Sequence, residues 1–195
     1  MMSSPPERII LAITGASGAM LGVRVLQLLS QAGVETHLIV SDAARITLAE
    51  ETGWKLDELH ALAKVVYAPG DIGAPVASGS FVTRGMLVVP CSIKTLSAIA
   101  NSFTENLIVR AADVCLKEGR PLLLAVRETP LHRGHLRLMD LAARSGAIIF
   151  PPIPSFYGHP GDLDDLFTNL AARMLLRLGI DNAGYDVWDG DKAMP

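Results

Sequence analysis

Arg127-Glu128-Thr129-Pro130 sets a guanidinium beside a carboxylate directly after the apolar run Pro121–Val126. Charge at the mouth of a buried strand is costly unless it is compensated or used. The pair therefore reads either as part of a site or as a structural ion pair at a subunit interface. From Lys117 to Arg137 five basic residues stand against two acidic ones, a surplus of +3 in a chain whose formal net charge is −3. A basic patch in an acidic protein fits an anionic small molecule, most simply a phosphate. Arg133 and Arg137, at helical spacing, also fit a solvated helix face.

Three more segments carry polar chemistry after an apolar run. Thr14-Gly15-Ala16-Ser17-Gly18-Ala19 is rich in small residues. Small residues admit a ligand close to the backbone, and amides at a following helix start can hold a phosphate. A tight turn packed on its neighbours is the alternative. The spacing fits neither the dinucleotide fingerprint nor a Walker A loop. Ser41-Asp42 reads first as a helix cap, although Ser41 can reach a ligand from the same place. Pro90-Cys91-Ser92-Ile93-Lys94-Thr95 offers two hydroxyls and an ammonium at another helix start. Cys91 reads as a small buried residue rather than a nucleophile. His132 and His135, three apart, lack a third metal ligand. Phe156 and Tyr157 follow the stiff Pro151-Pro152-Ile153-Pro154 segment and can line a ligand or an interface.

These segments need a scaffold. Short β-rich runs alternate with helix-period stretches: strands at Arg8–Thr14, Glu35–Ser41, Gly85–Pro90, Pro121–Val126 and Ala147–Phe150, and helices at Ala19–Ala32, Asp42–Glu51, Leu56–Ala63, from Lys94, from Glu105 to Glu118, at Leu131–Arg144 and at Asp162–Leu178. Ala68–Ser80, with three glycines, two prolines and two serines, reads as a loop. Strand–helix alternation predicts an α/β fold, a single domain with a parallel sheet covered by helices on both faces. Ligands in such folds bind beyond the carboxyl ends of the strands, where all of these segments lie. Expected boundaries are a flexible start over 1–7, the domain over 8–180 and a tail over 181–195.

The chain has 195 residues, enough for one ordinary domain, with 50% hydrophobic and 19% charged residues. That composition excludes disorder as the main state. Mean hydropathy is positive, yet no apolar run approaches a membrane span. The apolar surplus therefore points to subunit interfaces. Negative net charge speaks against nucleic acid. Two cysteines in apolar segments make neither a disulfide framework nor a zinc site, and the start lacks a secretory signal pattern, so the expected compartment is the cytoplasm.

Taken together, Gly15-Ala16-Ser17-Gly18-Ala19, Ala77-Ser78-Gly79-Ser80, Val89-Pro90-Cys91-Ser92-Ile93-Lys94-Thr95-Leu96, Arg110-Ala111-Ala112-Asp113-Val114, Leu116-Lys117-Glu118, Arg127-Glu128-Thr129-Pro130 and Phe156-Tyr157 resemble the UbiX-type flavin prenyltransferases. The likeness runs from about Arg8 to Ile180, and Arg127 to Met139 is similar to the enterobacterial ubiquinone-pathway members. The resemblance implies a Rossmann-like or flavodoxin-like subunit in a homododecamer. It implies binding of FMN and dimethylallyl phosphate, and joining of the five-carbon unit to N5 and C6 of reduced FMN. The product, prenylated FMN, would pass to a UbiD-type decarboxylase.

Carried over by position, Gly15, Ala16 and Ser17 match the FMN-phosphate turn. Ser41, the run Ser92, Ile93, Lys94 and Thr95, and Arg127 match further FMN contacts. Lys117, Tyr157 and Arg173 match the dimethylallyl phosphate site, and Glu128 the acid near the reacting flavin edge. Lys117, Arg127 and Glu128 are thus the expected catalytic residues. Fixed cations can neutralise a phosphate leaving group without a metal, and a dry apolar cavity protects an allylic cation from water. Some members carry Tyr where this chain has Leu21, and an aromatic where it has Ile72, so weight shifts here from a cation–π contact to electrostatics. The competing readings are an FMN-dependent decarboxylase or oxidoreductase and a non-catalytic flavin carrier. The glycine spacing disfavours an NAD(P)-dependent reductase.

Overall fold

Strands buried on both faces lose the alternation of polar and apolar residues, and here that is carried to the limit: all seven residues of β4 (Gly85–Cys91) and all five of β5 (Leu122–Val126) are buried. In the computed structural model, which describes residues 7–181 and 184–185, they pair with β1 (Arg8–Ile13), β2 (Glu35–Val40), β3 (Val65–Tyr67) and β6 (Ile148–Ile149). All five pairings are parallel, and the order is β3-β2-β1-β4-β5-β6. This is the doubly wound Rossmann order. The expected segments 1–7 and 181–195 lie largely outside the described residues.

Successive residues of β1 feed two separate cores. Ile9, Leu11 and Ile13 meet α1 (Ala19–Gln31), α2 (Asp42–Glu51), α3 (Leu56–Leu62) and α7 (Leu163–Arg177). Ile10 and Ala12 meet α4 (Ile93–Ala100), α5 (Leu107–Lys117) and α6 (Arg133–Arg144). This is the period-2 geometry of a strand expressed as two helical layers.

Beside the five strands expected from the sequence, the sheet has a sixth among the described residues. Val65–Tyr67 is too short to show a period, and it is strand because it pairs with His37–Ile39 at the sheet edge. The segment expected to be all loop, Ala68–Ser80, contains one 3₁₀ turn, Pro75–Ala77, with Ala74 and Val76 buried in the second core. Two helix starts also move. His132 caps α6, which begins at Arg133 rather than Leu131, and Asn106 caps α5.

Gly22 explains how closely α1 sits on the sheet. A Cβ there would lie 2.4 Å from the Val89 carbonyl oxygen, and that backbone cannot retreat. Overpacking of this kind costs on the order of 2 kcal/mol. Gly22→Ala should therefore lower the melting temperature by roughly 4–8 °C, measured by calorimetry, and an unchanged melting temperature would show that α1 can shift off β4.

Candidate active site

β1 and β4 are neighbours in the sheet, but their chains leave toward opposite faces. A cavity of about 560 Å³ opens beyond their carboxyl ends. Thr14 closes its floor: its hydroxyl donates to the Pro90 carbonyl at 2.7 Å and accepts from the Ser92 amide at 2.9 Å. Three helix starts line the walls. Ser41 Oγ caps α2 by accepting from the Ala44 amide at 3.1 Å. Ser92 Oγ caps α4, accepting from the Thr95 amide at 3.3 Å and donating to Thr95 Oγ1 at 3.1 Å. Asn106 Oδ1 caps α5 through the Val109 amide at 3.1 Å. Helix N-termini carry partial positive charge, so three around one cavity favour an anion. Lys94 adds a full charge at the mouth, 3.5 Å from Glu105.

Of the residues expected to hold the flavin, Gly15, Ser41, Ser92, Lys94 and Thr95 line this cavity. Gly15 is there for closeness, since a Cβ would stand 2.3 Å from the Ala43 Cβ. The tight-turn reading thus has a structural basis beside the ligand reading. Ile93 opens α4 and packs on the second core. Ala16 is buried. Asp42 is exposed and pairs loosely with Arg45 at 3.8 Å.

The amides that open α1 are engaged already. Gly18 N and Ala19 N donate to Glu51 Oε2 at 2.7 and 3.0 Å. Burial raises the Glu51 pKa, but the hydrogen bonds from Ser17 and these two amides, with the charge of Arg127, outweigh it and hold the carboxyl below its usual range. Glu51 is not among the residues expected at the site. It ends α2, 33 residues from Gly18, and no local pattern marks it.

Arg127 and Glu128 leave β5 on the same rim. The Arg127 amide donates to the Cys91 carbonyl at 3.1 Å, and both side chains are exposed. Glu128 Oε1 accepts from the Thr129 amide at 3.0 Å. No ion pair joins the two among the described residues.

The residues expected to hold a prenyl phosphate are not united within one chain. Lys117 ends α5 at the opposite edge of the sheet, paired with Glu118, whose carboxyl that ammonium holds below its usual range. The seven residues of β4 separate the two edges by about 20 Å. Tyr157 and Arg173 do meet, through Tyr185: the two tyrosine hydroxyls are 2.8 Å apart, and Arg173 Nη1 is 3.4 Å from the Tyr185 hydroxyl. Tyr185 falls in the region read only as a tail. Arg173 is on α7 and Lys117 on α5, so the sheet lies between them.

Cys91 and Cys115 are buried, and burial pushes both thiols up to about 12, which leaves them protonated at neutral pH. His132 Nδ1 accepts from the Gly134 amide at 2.9 Å, and its ring lies 3.7 Å from that of His135. The described residues contain no group of three metal-capable side chains. None of their helices is long and apolar enough to cross a membrane.

The chain matches the Flavoprotein family over residues 2–153. It is 55% identical over 175 residues to the flavin prenyltransferase UbiX of Escherichia coli K12, covering 89% of this chain and 93% of that one. Identity to the Thauera aromatica flavin prenyltransferase UbiX is 49% over 185 residues, 95% of each. The chain belongs to the flavin prenyltransferase UbiX family. UbiX structures share its fold. AnUbiX (PadA1), solved in complex with FMN and dimethylallyl pyrophosphate, superposes with a TM-score of 0.94 at 48% identity, over 95% of this chain and 99% of that one. A dodecameric FMN-dependent UbiX-like decarboxylase from E. coli O157:H7 gives 0.91 at 43% identity, over 94% and 100%.

Proposed function

We propose that this UbiX-family chain transfers a dimethylallyl group from dimethylallyl phosphate to N5 and C6 of reduced FMN, yielding prenylated FMN and inorganic phosphate without a metal. The observation that carries the reading is the cavity in which three capped helix starts and the hydroxyls of Ser41, Ser92 and Thr95 converge. That donor set fits a phosphate monoester dianion, and the cavity volume is in the range of cofactor sites. The Gly15 backbone and Lys94 would hold the FMN phosphate there, and Ala16, Ser17, Ile93 and Arg127 would border the rest of the cofactor. Glu51 already holds the first α1 amides, so the anion falls to α2, α4 and α5.

Reduced FMN supplies the nucleophilic N5 and C6. The protein's part is to hold the donor, neutralise its leaving group and manage protons. Lys117, Tyr157 and Arg173 bind the donor phosphate, which departs with the electron pair of the broken carbon–oxygen bond. Because Lys117 and Arg173 lie on opposite sides of one sheet, they reach a single phosphate only from different copies. The site is therefore completed by assembly, and the dodecameric relative supports a dodecamer here. Glu128 holds or accepts the proton at the flavin edge. A UbiD-type decarboxylase receives the product.

The test is mass spectrometry of the flavin after anaerobic incubation with reduced FMN and dimethylallyl phosphate. A gain of one five-carbon unit is expected. Unmodified flavin together with donor-independent decarboxylation or redox turnover would replace this reading with that of a flavin-dependent decarboxylase or oxidoreductase. Unmodified flavin with no turnover would leave a carrier. In the same assay Ser92→Ala should weaken FMN binding roughly tenfold, the worth of one hydrogen bond to a charged group, with donor affinity unchanged.

A further inference from the structure

The ladder between β1 and β4 ends at the pair Ala12 and Val88, and beyond it the two chains part toward opposite faces. One side chain carries the pairing further. Thr14 is 1% exposed. Its hydroxyl donates to the Pro90 carbonyl at 2.7 Å and accepts from the Ser92 amide at 2.9 Å. Its own amide reaches the same Pro90 carbonyl at 3.3 Å, and its carbonyl accepts from the Ala16 amide at 2.8 Å. A hydroxyl has one proton, and here it goes to Pro90, so Thr14 has none to offer a ligand. From the other side the Arg127 amide donates to the Cys91 carbonyl at 3.1 Å. The segment 90–92 is therefore clamped between β1 and β5 just before α4 begins.

The residue before Thr14 performs the matching task for α2. The Ile13 carbonyl accepts from the Ser41 amide at 3.0 Å. Adjacent residues of the chain thus hold the backbones of Ser41 and Ser92, the two N-caps whose residues line the flavin cavity. The two holds differ chemically. At position 13 a backbone carbonyl serves, whatever the side chain. At position 14 the side chain must donate and accept at once in a buried place, and Val has the shape of Thr with neither capacity. A phosphate carries its oxygens in a fixed tetrahedron, so two helix starts serve it together only when their separation is right.

We propose that Thr14 is a positioning residue for the cofactor, its hydroxyl setting the separation of the α2 and α4 starts so that both close on one phosphate monoester. Thr14 acts through Ser92 and not by contact with the phosphate. This deepens the prenyltransferase reading and rests on its placement of the FMN phosphate.

The test is equilibrium binding of FMN and of riboflavin to the flavin-free oligomer. Riboflavin has the same ring and ribityl chain without the phosphate. The unaltered protein should prefer FMN. Thr14→Val should weaken FMN about tenfold and leave riboflavin within about twofold, so that the preference collapses. Thr14→Ser keeps the hydroxyl and should regain the FMN affinity. In a Ser92→Ala background, Thr14→Val should cost far less FMN affinity, because residues that act through one contact are not additive. Should the valine chain not fold, Thr14→Ala is read by the same ratio. Equal losses for the two flavins, or an unchanged ratio, would make Thr14 a structural residue and overturn the proposal while the FMN placement stands. An unaltered protein that binds both flavins alike would overturn the placement, and the proposal with it.

Discussion

Subunits carrying Glu128→Gln should bind FMN and dimethylallyl phosphate as the unaltered protein does, yet form prenylated flavin about 10²–10⁴-fold more slowly, the usual span for a lost general acid or base. A carboxylate repels both phosphates, so binding gives it no reason to stand on this rim. Among the described residues its oxygen accepts only from the adjacent Thr129 amide, an interaction the Gln carbonyl can keep. The substitution thus preserves shape and local hydrogen bonding while removing the charge and the ability to take a proton. Single-turnover kinetics under anaerobic conditions separate the two steps. Loss of FMN from the variant, or product formation at the normal rate, would make Glu128 a structural residue.

Lys117→Ala and Arg173→Ala oligomers should each lose one to two decades in kcat/KM for the donor, the worth of one charged contact to a phosphate. Mixed oligomers made by co-expression should recover a substantial part of it. The reason is topological. Arg173 belongs to the layer of α1 and α7, Lys117 to the layer of α4, α5 and α6, and the sheet separates them. A phosphate touching both must take them from two copies. In a mixture, some sites draw Lys117 from the Arg173→Ala copy and Arg173 from the Lys117→Ala copy, and those sites are intact. No recovery on mixing would mean that the two residues do not share a ligand across copies.

Much of the scaffold could be read directly. Helix α2 was expected over Asp42–Glu51 and is found there, because its signals are local: Ser41 as cap and a glycine soon after its end. The strands β4 and β5 were legible because burial on both faces leaves an unbroken apolar run. By contrast, β3 has only three residues and owes its conformation to a neighbour. The capping boundaries at His132 and Asn106 shifted the starts of α6 and α5 by two residues for a similar reason: the capping side chain, not the apolar period, decides where a helix begins.

The candidate site divides along the same line. Small residues and hydroxyls directly after strands are sequence-local, and the parallel α/β rule carries them to one edge of the sheet. The order of residue types alone is thus enough for the fold class, for the convergence of Gly15, Ser41, Ser92, Lys94 and Thr95 on one cavity, and, through its resemblance, for the family. Long-range packing is what sets Glu51 on the start of α1, joins Tyr157 to Arg173 through Tyr185, and puts Lys117 at the far edge and on the other face. Each of these depends on where chain segments far apart in sequence meet, and no periodicity or spacing encodes that. The side of the sheet on which a helix packs is fixed by which strand residues it covers, a property of the assembled core.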